Sequence, residues 1–262
     1  MSEDDIVLYE VKSKVARITL NRPPVHAFNL DLFKRLHDRL EEAENDDKAK
    51  CLLIKSTGNK IFSAGFDMKI KPGDETSTNI QDVLKYSKLI TQKMLLMKKP
   101  IIVQVQGTAI GYGMMIVMAS DLRIFADRQF PDMYFMMPEI AISMFPRALA
   151  TFMTLRSFGL SFAKNILLTS DKFGLEQLKN LNFTTRIFPL DKLENKTEEF
   201  VKEFVRYKDS IMFLIKSSLT LMHNKYIESW VKLEEDCSDA VLKKRSFKEW
   251  DGFIQDLYNK YP

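Results

Sequence analysis

The chain has 262 residues, 45% of them hydrophobic and 28% charged, with a net charge of +4. This length and balance suit one large domain or a core with an appendage, and the interspersed charges argue against nucleic-acid binding. Two cysteines, Cys51 and Cys237, exclude a disulfide framework, and three scattered histidines, His26, His37 and His223, lack metal-ligand spacing.

Two β-rich runs, Ile6 to Val11 and Val15 to Leu20, flank Lys12-Ser-Lys14 and predict a hairpin. Asn21-Arg-Pro-Pro24 ends the second run. Asn29 stands at the N-cap of an amphipathic helix, Leu30 to Glu44, with Leu32, Phe33, Leu36, Leu40 and Ala43 on one face. Cys51 to Lys55 is the next strand, and Phe62-Ser-Ala-Gly-Phe-Asp67 follows as a short apolar entry into a turn. Pro72 to Thr78 predicts a mobile loop, and Asn79 to Lys98 a long helix. Pro100 opens a buried strand, Ile101 to Val105; Gly107, Gly111 and Gly113 interrupt it, and Met114 to Ala119 resumes as a buried helix.

Leu122 to Phe125 predicts another strand, and the aromatic, methionine-rich run Phe130 to Met137 leads into Pro138-Glu139. Helical patterns cover Phe145 to Phe158, Ser161 to Thr169 and Leu175 to Leu181, before a short strand at Thr184 to Phe188. Four further helices are expected after Asp191: Glu198 to Arg206, Ser210 to Asn224, Glu228 to Lys244 and Phe247 to Tyr258. Strands alternating with helices, then helices alone, predict an α/β core over residues 1–190 and a helical C-terminal region over 191–262. No apolar run reaches the roughly 18 residues of a membrane span, and the acidic start lacks a signal-peptide core. The expectation is a cytoplasmic protein without a membrane partner.

Two turns, Ser63-Ala-Gly-Phe-Asp67 and Gly107 to Gly113, each place backbone N–H groups after a short strand. Two such donors converging on one point make an oxyanion hole; alternatively, the glycines serve only close packing. Glu139 is a lone carboxylate among Phe135, Met136, Met137, Ile140 and Ile142. Burial there would raise its pKa toward the range useful for proton transfer; otherwise it is a surface residue or an ion-pair partner.

The ordered set Ile18-Thr-Leu-Asn-Arg-Pro23, Phe62-Ser-Ala-Gly-Phe-Asp67, Pro100 to Gly111, Ala119-Ser-Asp121 and Pro138-Glu139 resembles the enoyl-CoA hydratase/isomerase (crotonase) superfamily. The match runs from about Val7 to Leu181. The resemblance implies an α/β fold, a crotonase-like spiral of ββα units with a C-terminal helical trimerisation region, and so a homotrimer or a hexamer built as a dimer of trimers. It also implies an acyl-CoA substrate whose enolate oxygen is held by the N–H groups of Phe66 and Tyr112. A tyrosine stands here where the family usually has a glycine. Where hydratases carry a first glutamate, this chain has Met115; only Glu139 remains, a pattern similar to the Δ3,Δ2-enoyl-CoA isomerases.

By the same resemblance, adenine and pantetheine lie along Ala64, Phe66, Asp67, Met68 and Lys69. Gly111 and Met115 stand at the acyl end, Arg22 near the start of the site, and Gly252-Phe253 matches a CoA-covering segment. Lys69, Arg22 and Phe253 read equally as ordinary surface or core. No metal or redox cofactor is implied; coenzyme A enters as part of the substrate. Other enolate-stabilising reactions (hydration, decarboxylation, thioester hydrolysis) and a non-catalytic acyl-CoA-binding scaffold stand as alternatives.

Overall fold

The two N-terminal β-rich runs pair as β1 (Val7–Lys12) and β2 (Val15–Leu20), an antiparallel hairpin turned by Ser13 and Lys14 at φ 52° and 65°. Both central residues at positive φ match the twist of the flanking strands. The computed structural model describes residues 5–69, 80–241, 243 and 246–261, without the side chains at 222–225 and 247. The expected loop at 72–78 and the His223 side chain lie outside that description.

Helix α1 (Leu30–Asn45) starts where its cap predicts: the Leu32 N–H donates to Asn29 Oδ1 at 2.9 Å. Its five apolar positions, Leu32, Phe33, Leu36, Leu40 and Ala43, are all buried. Three ββα units follow. The first is β3 (Cys51–Ser56), β4 (Ile61–Ser63) and α2 (Ile80–Leu96). The second is β5 (Ile101–Val105), β6 (Thr108–Ile110) and α3 (Tyr112–Ala119). The third is β7 (Leu122–Ala126), β8 (Phe135–Met136), a 3-10 turn at Ile140–Ile142 and α4 (Ala150–Thr169). Helix α5 (Leu175–Asn180) and β9 (Arg186–Phe188) close the core, and α6 (Leu193–Phe204), α7 (Asp209–Val241) and α8 (Phe247–Lys260) complete the described chain.

In each unit the first strand joins one sheet and the second joins another. The larger sheet has the order β1-β2-β3-β5-β7-β9, parallel from β2 onward; the smaller has the order β4-β6-β8, all parallel. This is the spiral of ββα units expected from the motifs. Strand β5 is buried along its whole length because both faces of the sheet are covered. Ile101, Val103 and Val105 enter the main core, while Ile102 packs with Cys51, Leu53, Ile124 and the α6 residues Leu193 and Val201.

The C-terminal helices are anchored to this core by two buried ionisable side chains. Lys216 of α7 pairs with Asp121 at 2.7 Å and donates to the Lys99 carbonyl at 3.1 Å, while Asp121 also accepts the Ile101 N–H at 2.7 Å. Glu234, further along α7, accepts the N–H groups of Leu149 and Thr151 at 2.7 and 2.8 Å, so it closes the N-terminus of α4. Among the described residues no helix is long and apolar enough to cross a membrane.

Several elements differ from the sequence expectation, among them α6, which starts at Leu193 rather than Glu198. Ser210 to Asn224 and Glu228 to Lys244 form the single helix α7, because no glycine or proline interrupts residues 209–241. Helix α4 begins at Ala150 rather than at Phe145, since Ala148 and Leu149 take φ of 61° and 70°. It also absorbs the helix expected at Ser161, the two segments meeting in a kink at Gly159. The glycine-rich stretch after Gly107 holds a real strand, β6, too short to show a period. Leu36, wholly buried between α1 and the sheet, provides a test of the core: Leu36→Ala is expected to cost about 2–5 kcal/mol of stability in urea unfolding.

Candidate active site

The three short strands of the smaller sheet run parallel, so their carboxyl ends point the same way, which is where ligands bind to parallel sheets. From those ends emerge Ala64 to Lys69 after β4, Gly111 and Tyr112 after β6, and Pro138 and Glu139 just beyond β8. Segments distant in sequence therefore meet at one edge.

Glycine sets how closely they meet. A Cβ on Gly65, which sits at φ +80°, would stand 2.6 Å from the Ile110 carbonyl oxygen and 3.1 Å from the Tyr112 nitrogen. A Cβ on Gly113 would stand 2.5 Å from the Ser63 carbonyl oxygen. Only glycine permits this approach, and it lays the backbone beside Phe66 against the first turn of α3.

The direction of the Phe66 N–H follows from its neighbours. The Gly65 carbonyl accepts the Phe28 N–H at 2.7 Å, and the Asp67 N–H donates to the Phe28 carbonyl at 3.0 Å. That occupies one edge of the extended segment, so the Phe66 N–H points from the other. No described residue accepts it. The Tyr112 N–H belongs to the first turn of α3, where amides have no intrahelical partner. Both N–H groups are thus available to an anionic oxygen.

Glu139 lies at the same edge. Strand β8 pairs with β6 in register, Ile110 opposite Met136, and the Gly111 N–H donates to the Met136 carbonyl at 2.9 Å. The chain then turns at Pro138 and brings Glu139 Oε1 within 3.5 Å of where a Gly111 Cβ would lie. Glu139 Oε2 is buried and has no hydrogen-bond partner among the described residues. Burial pushes the carboxyl up to about 7, partly offset by its own backbone N–H. As a residue Glu139 is only half-buried, and Ile140 and Ile142, expected to enclose it, are exposed; it is Oε2 that is enclosed, and no ion pair reaches the carboxyl among the described residues.

Behind these groups the packing is dense. Ser63 Oγ donates to the His26 carbonyl at 2.8 Å and accepts the Gly65 N–H at 3.1 Å, fixing the turn that presents Phe66. His26 Nδ1 accepts the Arg22 N–H at 3.2 Å, which leaves Nε2 protonated and bonded to the Thr57 carbonyl at 2.9 Å. The ring is neutral, and burial lowers its pKa. Arg22 joins Asp67 at 2.7 Å and donates to the Ala27 carbonyl at 2.7 Å. Desolvation opposes ionisation of Asp67, but the Lys69 N–H and the Arg22 guanidinium outweigh it and hold the carboxyl below its usual range. Asp67 is therefore a structural anion in this site.

The remaining residues selected from the sequence take varied positions. Ala64 is fixed by its N–H to the Val25 carbonyl at 2.9 Å. Met68 and Lys69 are exposed at the rim. Met115 is buried one turn into α3, its N–H on the Gly111 carbonyl at 3.0 Å, and it provides no acid. Phe253 stands on α8 with its ring edge-on to Trp250 of the same helix. The Tyr112 ring lies in the core, fully buried. Sequence reasoning missed Ser63 and His26 as supports; the motif containing Ser63 was visible, but its hydrogen bonds cross from one chain segment to another.

A sequence model described as enoyl-CoA hydratase/isomerase matches residues 10–255. The chain is 30% identical over 168 residues to a short-chain-enoyl-CoA hydratase of Clostridium acetobutylicum, covering 63% of this chain and 61% of the relative. It is 27% identical over 169 residues to a trans-2-decenoyl-acyl-carrier-protein isomerase of Streptococcus mutans, covering 63% and 62%. The aligned part thus spans less than two thirds of either relative. Among solved structures, an enoyl-CoA hydratase from Bacillus halodurans superposes with a TM-score of 0.82 over 92% of this chain and 96% of that one, at 18% identity, which establishes a shared fold.

Two outcomes test this geometry. Gly65→Ala forces a side chain onto the Ile110 carbonyl at positive φ and is expected to destabilise the protein by at least about 1–2 kcal/mol in urea unfolding. Glu139 holds its proton more tightly folded than unfolded, so its contribution to stability falls as pH rises from about 4.5 to about 7. Glu139→Gln removes that contribution, so the difference in unfolding midpoint between acidic and alkaline buffer should shrink.

Proposed function

The chain belongs to the enoyl-CoA hydratase/isomerase family, and from that premise we propose that it is a Δ3,Δ2-enoyl-CoA isomerase. One observation carries the reading: a single partnerless carboxyl, Glu139, stands beside the oxyanion segment, with Met115 where a second acid would be needed. The thioester carbonyl accepts the N–H groups of Phe66 and Tyr112. Glu139 takes a proton from the carbon α to that carbonyl, and the electron pair delocalises through the double bond onto the oxygen. The same carboxyl returns the proton to the γ carbon, and the double bond moves from β–γ to α–β. No water is consumed and no electrons leave the substrate.

The chemistry favours this step over hydration. A carboxyl near 7 gives and takes a proton at neutral pH with similar ease. The enclosure of Oε2 limits exchange of a proton carried there with solvent. Adding water across the double bond needs one group to deprotonate the water and another to protonate the carbon, and Met115 can do neither. The isomerase from Streptococcus mutans among the relatives supports the same reaction type.

In this reading the acyl-CoA lies along Ala64, Asp67, Met68 and Lys69, with Arg22 and Phe253 near the nucleotide and Gly111 and Met115 lining the acyl end. Proton transfer and oxyanion stabilisation suffice without a metal or redox cofactor. Residues 191–262 join copies of the chain into a homotrimer or a dimer of trimers; the exposed Ile211, Leu214, Ile215 and Leu219 on α7 support that role. Light scattering should give the mass of three or six chains, and a monomer would refute this assembly.

The reaction is tested by following 3-enoyl-CoA to its 2-enoyl product. Turnover should rise with pH through about 7 as Glu139 ionises, and Glu139→Gln should lower it by more than about 100-fold. Label at the α carbon should be partly recovered at the γ carbon, because one shielded carboxyl carries it. A variant that still turns over, or label lost wholly to solvent, would end the single-acid proposal.

A further inference from the structure

The two residues that offer N–H groups to the thioester also hold each other. The Phe66 and Tyr112 rings stack with centroids 5.5 Å apart at 30°. Phe28 and Phe33 pack edgewise on Tyr112 at 5.0 and 4.9 Å. Tyr112 is wholly buried, and its hydroxyl donates to the Ser87 carbonyl of α2 at 2.8 Å, with Thr91 Oγ1 at 3.4 Å. Thr91 Oγ1 donates to that same carbonyl at 3.0 Å, so a buried polar triad links α2 to the start of α3.

Tyr112 is flanked by Gly111 and Gly113, and α3 begins without a side-chain cap. In the turn Gly111-Tyr112-Gly113 it is therefore the only side chain that can fix the backbone. We propose that the Tyr112 phenol and the Phe66 ring are positioning groups for their own backbone N–H donors: the phenol ties the Tyr112 amide to α2, and the stack ties the Phe66 amide to Tyr112. This rests on the isomerase reading, in which those amides hold the enolate oxygen. Negative charge on that oxygen is greatest in the transition state, so a displaced donor weakens catalysis more than substrate binding.

Two variants leave both amides in place and remove only the supports. Tyr112→Phe deletes the hydroxyl and keeps the ring; Phe66→Leu deletes the stack and keeps apolar bulk. Each is expected to lower kcat about tenfold with KM unchanged. A bound, unreactive acyl-CoA should also show a smaller downward shift of its thioester carbonyl band in infrared difference spectra than it does on the wild-type protein. Wild-type kcat and wild-type carbonyl band in both variants would overturn the positioning role while leaving the isomerase reading intact. A wild-type protein that neither isomerises 3-enoyl-CoA nor shifts the carbonyl band would overturn both. Should Tyr112→Phe fold poorly in thermal melts, Phe66→Leu and its carbonyl band decide the question.

Discussion

The site depends on backbone lying closer to backbone than any side chain would allow. Gly65 sits against the Ile110 carbonyl and the Tyr112 amide, Gly113 against the Ser63 carbonyl, and Gly107 against the Lys60 carbonyl. Together they close the smaller sheet and its helix onto one another over a few residues. Strands of two or three residues hold few hydrogen bonds of their own, so this sheet persists because the larger sheet and its helices press it together. Phe62, Ala109 and Phe135, one from each short strand, lie in the main core.

Within that frame the buried and half-buried carboxyls divide by how they are satisfied. Glu234 accepts amides at the start of α4 and the hydroxyl of Thr151, and Asp121 has both an amide and a lysine. Each is compensated and serves to anchor α7. Glu139 Oε2 is buried with no such compensation among the described residues, which disfavours its ionised form. Burial raises both Glu139 and Glu234 to about 7; what separates them is that Glu234 is hydrogen-bonded to the start of α4 while Glu139 Oε2 is left without a partner among the described residues at the edge of the smaller sheet.

Sequence and structure agree best where a pattern is local. The Asn29 cap, the five-residue apolar face of α1, the β1–β2 hairpin and the continuous apolar run of β5 each follow from spacing within one element. The resemblance extended this to the ordered motifs and hence to the spiral of ββα units. What it could not supply was length: α7 runs unbroken where two helices were expected, because mid-helix polar residues are tolerated in the absence of glycine or proline.

By itself the sequence determined most of the helices and the strands of the larger sheet, the core face of α1, the acid at position 139 and the methionine at position 115, since these are properties of residue identity and short-range period; the short strands β6 and β8 it did not. Only the tertiary structure decided that the ends of three very short strands converge, that Glu139 Oε2 is enclosed without a partner among the described residues, and that the Tyr112 ring turns inward to Ser87. The reason is physical: burial, amide direction and close approach are relations between segments tens of residues apart. Such relations come into being only when the chain has packed.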